Sequence, residues 1–90
     1  MEVGKAIVYR QIGAKVAYYR TLRQLTQAEL AKKVHISRST LYRIEHGRYE
    51  EGFSLSTLID IADGLHVELS HLVSITDEEK KVWWDADADL

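Results

Sequence analysis

An all-α domain of five helices is predicted by three features of the 90-residue sequence. Proline is absent, so no position forbids a continuing helix. Apolar residues recur three and four apart in successive segments. Thr26, Ser37 and Ser54 stand where helix N-caps belong, just ahead of such segments. The 46% hydrophobic content excludes a wholly disordered chain, and the length suits one small core.

The first helix is expected from about Lys5 or Ala6 to about Leu22, after a frayed Met1-Glu2-Val3-Gly4 start. Val8, Ile12, Val16 and Tyr19 form its buried stripe. Gly13 costs up to about 1 kcal/mol of helix propensity, while its missing side chain leaves room for close packing. Leu22 and Leu25 bring the chain back over the core. Thr26 and Glu29 have the spacing of a capping box, which opens the second helix. Ala28, Leu30, Ala31 and Val34 give that helix its apolar side, and Lys32 and Lys33 point the other way.

Val34-His35-Ile36-Ser37 is the turn. His35 falls on a left-handed position that usually holds glycine, and histidine tolerates it better than most residues. Ile36 fills the gap between the two helices. Ser37 caps the third helix, Leu41 and Ile44 supply its inner side, and Arg38, Ser39, Tyr42 and Arg43 remain outside. Two helices crossing through so short a turn form a helix-turn-helix unit, whose second helix can enter a DNA major groove.

Gly47 terminates that helix, and residues 49–53 make the longest loop. Ser54 caps a fourth helix from Leu55 to about Leu65, with Leu58, Ile61, Ala62 and Leu65 inward and Gly64 weakening its last turn. His66 repeats the reversal role of His35. Glu68 precedes a short fifth helix holding Leu69, Leu72 and Val73, where the helix dipole favours an acid. Thr76, followed by acids, can begin a sixth helical segment. The expected organisation is a domain over residues 1–75 and an acidic, tryptophan-bearing segment over 76–90.

The net charge of −2 hides a division. Residues 1–49 carry ten Lys or Arg against three acids, a balance of +7, and residues 50–90 carry two lysines against eleven acids, −9. A basic half gathered around one helix pair can hold a polyanion despite an acidic whole. Arg20 lies beside the buried stripe of the first helix, and Glu45 is the one acid of the third. A structural salt bridge between them is expected, in preference to an exposed arginine whose stem covers apolar surface.

Other classes of function find little support. His35, His46, His66 and His71 lack metal-ligand spacing, and there is no cysteine to complete a site or form a disulfide. Asp60 and Asp63 share the outer face of a helix, where they solubilise. No glycine-rich phosphate loop, catalytic constellation, membrane span or secretory signal is present, so no enzyme and no cofactor is expected. The absence of cysteine suits a reducing cytosol.

The run Leu25-Thr26-Gln27-Ala28-Glu29-Leu30-Ala31, then Ile36-Ser37-Arg38-Ser39-Thr40-Leu41, then Ile44-Glu45-His46-Gly47, and later Leu58-Ile59-Asp60-Ile61-Ala62 with Leu65-His66-Val67, resembles the phage-repressor-type helix-turn-helix family of bacterial transcription regulators. This is also called the Cro/C1 or xenobiotic-response-element family. The resemblance spans Ile12 to about Ser74. It implies a compact five-helix, lambda-repressor-like domain that binds double-stranded operator DNA, usually as a homodimer and usually to repress. By position, it implies that Arg38, Ser39, Tyr42 and Arg43 read bases; Thr40, beside them, can add a hydrogen bond or a methyl contact. It also implies that Gln27 and Arg48 meet phosphates and that Arg20 and Glu45 form an internal ion pair; the charge of Lys32 or Lys33 can join the hold on the DNA backbone. His35 and His66 depart from the family's glycines, and Glu50-Glu51 replaces a loop that often holds proline.

Leu69, Leu72, Val82, Trp83 and Trp84 are the candidate dimer or partner interface. Adjacent tryptophans cannot face one way, so one covers the domain while the other meets a partner, or both fold back on the core. Asp85-Ala86-Asp87-Ala88-Asp89 reads as a solvated acidic end. Two further readings follow from the charge division. One is an antitoxin that represses its operon and binds a toxin through its C-terminal half; the other is a protein-interaction adaptor without DNA binding.

Overall fold

The computed structural model describes residues 3–48, 54–76, 78, 79 and 81. Within them lie five helices, α1 (Val3–Leu22), α2 (Gln27–Lys33), α3 (Arg38–Glu45), α4 (Leu55–Leu65) and α5 (Leu69–Val73), and residues 78, 79 and 81 are helical too, after Thr76. The fold is the all-α, five-helix, lambda-repressor-like bundle. The loop 49–53, the acidic tail and the expected interface residues Val82, Trp83 and Trp84 lie outside the described residues.

Side-chain caps set the helix starts. Thr26 Oγ1 accepts the Glu29 N–H at 3.0 Å, and Glu29 Oε1 accepts the Thr26 N–H at 2.9 Å. The Ser37 and Ser54 hydroxyls likewise accept the Thr40 and Thr57 N–H groups. The Thr26 backbone N–H, and secondarily the Thr26 hydroxyl, hold the Glu29 carboxyl below its ordinary range. A depressed carboxyl contributes stability above its unfolded pKa and loses it as pH falls towards the folded value. Thermal unfolding of Glu29→Gln should therefore lie below the parent at neutral pH, and the two should converge as the medium is acidified through the carboxylate range. A constant gap would remove the charge from the explanation.

Four helix reversals share one hydrogen-bond pattern. Leu25, Ile36, Arg48 and Val67 donate N–H to the carbonyls of Arg20, Ala31, Arg43 and Ala62, each spanning a residue in left-handed conformation. Those residues are Gln24 (φ 59°), His35 (φ 60°), Gly47 (φ 66°) and His66 (φ 58°). This is the Schellman closure. Three of the four reversals therefore run without glycine, and Gln24 joins the positions expected from sequence.

The core gathers Ile12, Val16, Leu30, Ala31, Val34, Leu41, Ile44, Leu58, Ile61, Ala62, Leu65 and Leu72, with Tyr19, Leu25, Ile36, Val67 and Leu69 packed against it. Three expectations for packing need correction. Val8 is 38% exposed, and Ile7, at 2%, takes the buried place. Leu22 points outward at 55%. Ala28 is exposed rather than part of the buried side of α2. Gly13 is a true close approach: a Cβ there would collide with the Ile44 carbonyl oxygen and lie 2.8 Å from that of Glu45. Its absence lets α1 cross the end of α3 backbone to backbone.

Candidate nucleic-acid interface

Arg20 and Glu45 fix where α3 sits. Arg20 Nε donates to Glu45 Oε2 at 2.7 Å and Nη2 to Oε1 at 3.0 Å, a bidentate pair. Arg20 Nη1 also donates to the Leu25 carbonyl at 2.8 Å. Gln27 Nε2 donates to Glu45 Oε1 at 3.1 Å. One carboxylate thus ties the end of α1, the start of α2 and the end of α3, and no buried side-chain polar atom among the described residues lacks a partner. Arg23 closes the far side by donating from Nε to the Leu65 carbonyl at 2.9 Å.

This scaffold turns one face of α3 outward. Leu41, Ile44 and Glu45 are buried. Arg38, Ser39, Tyr42, Arg43 and His46 are exposed, and Lys32, Lys33 and Arg48 are exposed beside them. Thr40 is half-buried and its hydroxyl accepts from Ser37 Oγ at 2.8 Å, so it serves the cap and lies off the outer face. Ser39 Oγ lies 3.2 Å from Ser37 Oγ. Gln27 has committed one Nε2 hydrogen to Glu45, and the amide carries a second.

His46 is the residue sequence reasoning passed over. Its ring stacks on Tyr42, with centroids 4.0 Å apart and planes at 25°. Its Nδ1 donates to the Tyr42 carbonyl oxygen at 2.9 Å. The available signal was the four-residue spacing of two aromatic rings on the outer side of a helix. Arg38, Ser39 and Tyr42 line a largely apolar depression of about 420 Å³ on the same face.

The expected interface at the other end is divided. Leu72 is 0% exposed and belongs to the core, which corrects its assignment to a contact surface. Leu69 is half-buried and Val73 is 40% exposed. Lys15 Nζ donates to the Ser74 carbonyl and pairs with Glu79 at 3.4 Å, while Thr76 Oγ1 accepts the Glu79 N–H. The start of the acidic stretch is thereby held against α1.

A short helix pair, rigidly braced, with arginines and a tyrosine projecting from its second member defines a helix-turn-helix DNA-binding domain. The chain belongs to the helix-turn-helix family HTH_3, whose model matches residues 16–72. It is 43% identical over 54 residues to an uncharacterized HTH-type transcriptional regulator of Methanocaldococcus jannaschii, a match covering 60% of this chain and 82% of that one. It is 42% identical over 62 residues to the immunity repressor protein of Bacillus phage phi105, covering 69% of this chain. It spans only 42% of that repressor's length.

Two crystal structures share the fold. A hypothetical transcription factor from Neisseria superposes with a TM-score of 0.72 at 21% identity, covering 83% of this chain and 84% of the other. The clp gene regulator ClgR of Corynebacterium glutamicum gives 0.72 at 21%, covering 91% and 82%. The family is one of DNA-binding regulators, which places this chain among transcription factors and not among enzymes. Among the described residues no helix is long and apolar enough to cross a membrane, and no cluster of three or more His, Cys, Asp or Glu could hold a metal ion.

Proposed function

We propose that this protein is a repressor of the Cro/C1 type that binds a G-containing half-site as a two-fold dimer. The observation that carries the reading is the outer face of α3, where Arg38 and Arg43 stand exposed while Leu41, Ile44 and Glu45 are locked inside. Guanidinium groups donate bidentately to guanine O6 and N7. Lys32, Lys33, Arg48 and the second Gln27 amide hydrogen provide the sequence-independent hold on phosphates. Repression is supported by the likeness to the phage repressor, and the domain over residues 1–75 is taken as the DNA-binding unit.

Dimerisation follows from size. One such module buries roughly 600–1,000 Å² on DNA, too little for tight specific binding alone. Two copies related by a two-fold axis would engage half-sites about 34–36 Å apart. Val73 and Leu69, continuing into the segment with Val82, Trp83 and Trp84, form the proposed contact surface. Selection from random duplex DNA at stated salt should return a palindrome with that spacing, and sedimentation at micromolar concentration should show dimers on the selected site. Monomers both free and on DNA would overturn the dimer.

The charge division supports a second reading, an antitoxin whose acidic C-terminal half holds a toxin while α3 represses the operon. A stable complex with the product of the adjacent gene distinguishes it. Exposed cations around α3 speak against an adaptor that has lost DNA binding.

A further inference from the structure

The depression lined by Arg38, Ser39 and Tyr42 is largely apolar, and it joins an arginine, whose guanidinium suits a guanine edge, to a tyrosine whose ring is stacked on its neighbour. Tyr42 is 43% exposed, so on its own it would sample several rotamers. The His46 ring stacked at 4.0 Å holds it from one side. That imidazole is itself anchored, because a carbonyl oxygen can only accept and the Nδ1–H must donate to it. The pair is therefore a preorganised apolar surface set beside a charged donor, and it lies on the face directed at DNA.

In the major groove one base alone among the four natural ones offers an apolar group: thymine, through its C5-methyl. A thymine neighbouring a guanine would present that methyl next to the O6 and N7 atoms an arginine takes. We infer that the depression receives the methyl of a thymine adjacent to the guanine bound by Arg38, and that His46 is the positioning residue that keeps Tyr42 in place to read it. The inference rests on the DNA-reading face proposed above and adds to it the identity of a second base.

The test replaces each thymine of the selected half-site in turn by deoxyuridine, which removes only the methyl. Binding is measured at fixed salt for the parent, Tyr42→Ala and His46→Ala. One thymine next to the Arg38-dependent guanine should show an affinity loss of about fourfold on replacement, the value of one buried methyl group. In Tyr42→Ala that ratio should fall to about one, and in His46→Ala it should shrink while the guanine preference persists. Both side chains are exposed, so both variants keep the core. A ratio of about one at every thymine in the parent, or an unchanged ratio in Tyr42→Ala, overturns the inference while leaving guanine reading by Arg38 intact. Loss of all sequence preference in the parent would instead overturn the DNA-reading face, and this inference with it.

Discussion

Truncating Arg20 to alanine should cost about 3–5 kcal/mol of folding stability, more than Glu45→Gln. The reason is the asymmetry of burial: the Glu45 side chain is 3% exposed and that of Arg20 18%. Without Arg20 a carboxylate stays inside with one neutral donor, the Gln27 amide at 3.1 Å. Without Glu45 the guanidinium still donates to the Leu25 carbonyl and can turn towards water. Glu45→Gln keeps the shape and an acceptor, and should cost only about 1–2 kcal/mol. Replacing both residues by apolar ones of similar size should recover most of the loss, because no charge is then left unpaired. Urea unfolding of the four proteins measures the order directly. If Glu45→Gln proved costlier than Arg20→Ala, the hub would owe its stability to something other than desolvation. The same bond set fixes α3 against α1 and α2, so Arg20→Ala should also weaken DNA binding under conditions where it remains folded.

Local chemistry made much of this fold legible. A capping serine or threonine needs only its own backbone and the next turn, so Thr26, Ser37 and Ser54 could be placed from sequence. The left-handed histidines at 35 and 66 followed from where two helices had to end. Gln24 did not stand out, since nothing in its side chain favours positive φ; the reversal between α1 and α2 imposes it. Periodicity misplaces the buried stripe of α1 at one end for a similar reason. Ile12, Val16 and Tyr19 face the main core, but the N-terminal half of the same helix crosses the end of α3, where Gly13 meets the Ile44 and Glu45 carbonyls and Arg10 lies against Gly47. Its neighbours change along its length, so the buried face rotates and Ile7 replaces Val8. Periodicity assumes one constant neighbour and cannot report such a change. In the candidate site, charge and position pointed to Arg38 and Arg43. The engagement of Thr40 with Ser37, and the His46 ring against Tyr42, are facts of side-chain rotamers that only three dimensions supply.

Arg38→Ala and Arg43→Ala should each lower affinity for the selected site by about 1–3 kcal/mol while barely changing affinity for unrelated duplex. Their effects on sequence should differ in place. The two residues are five apart on one helix, a rise of about 7.5 Å. Successive bases on one strand are about 3.4 Å apart, so specificity should relax at positions about two base pairs from each other. Lys33→Ala provides the contrast. Its ammonium is an exposed point charge without fork geometry, and it should weaken all duplexes alike and reduce the dependence of log K on log salt by about 0.9. Titrating a randomised operator library at several salt concentrations separates these outcomes in one experiment. If both arginine variants relaxed the same position, α3 could not lie along the groove as its outer face requires. If instead Lys33→Ala altered the preferred sequence, the division between backbone hold and base reading would have to be drawn elsewhere on the surface.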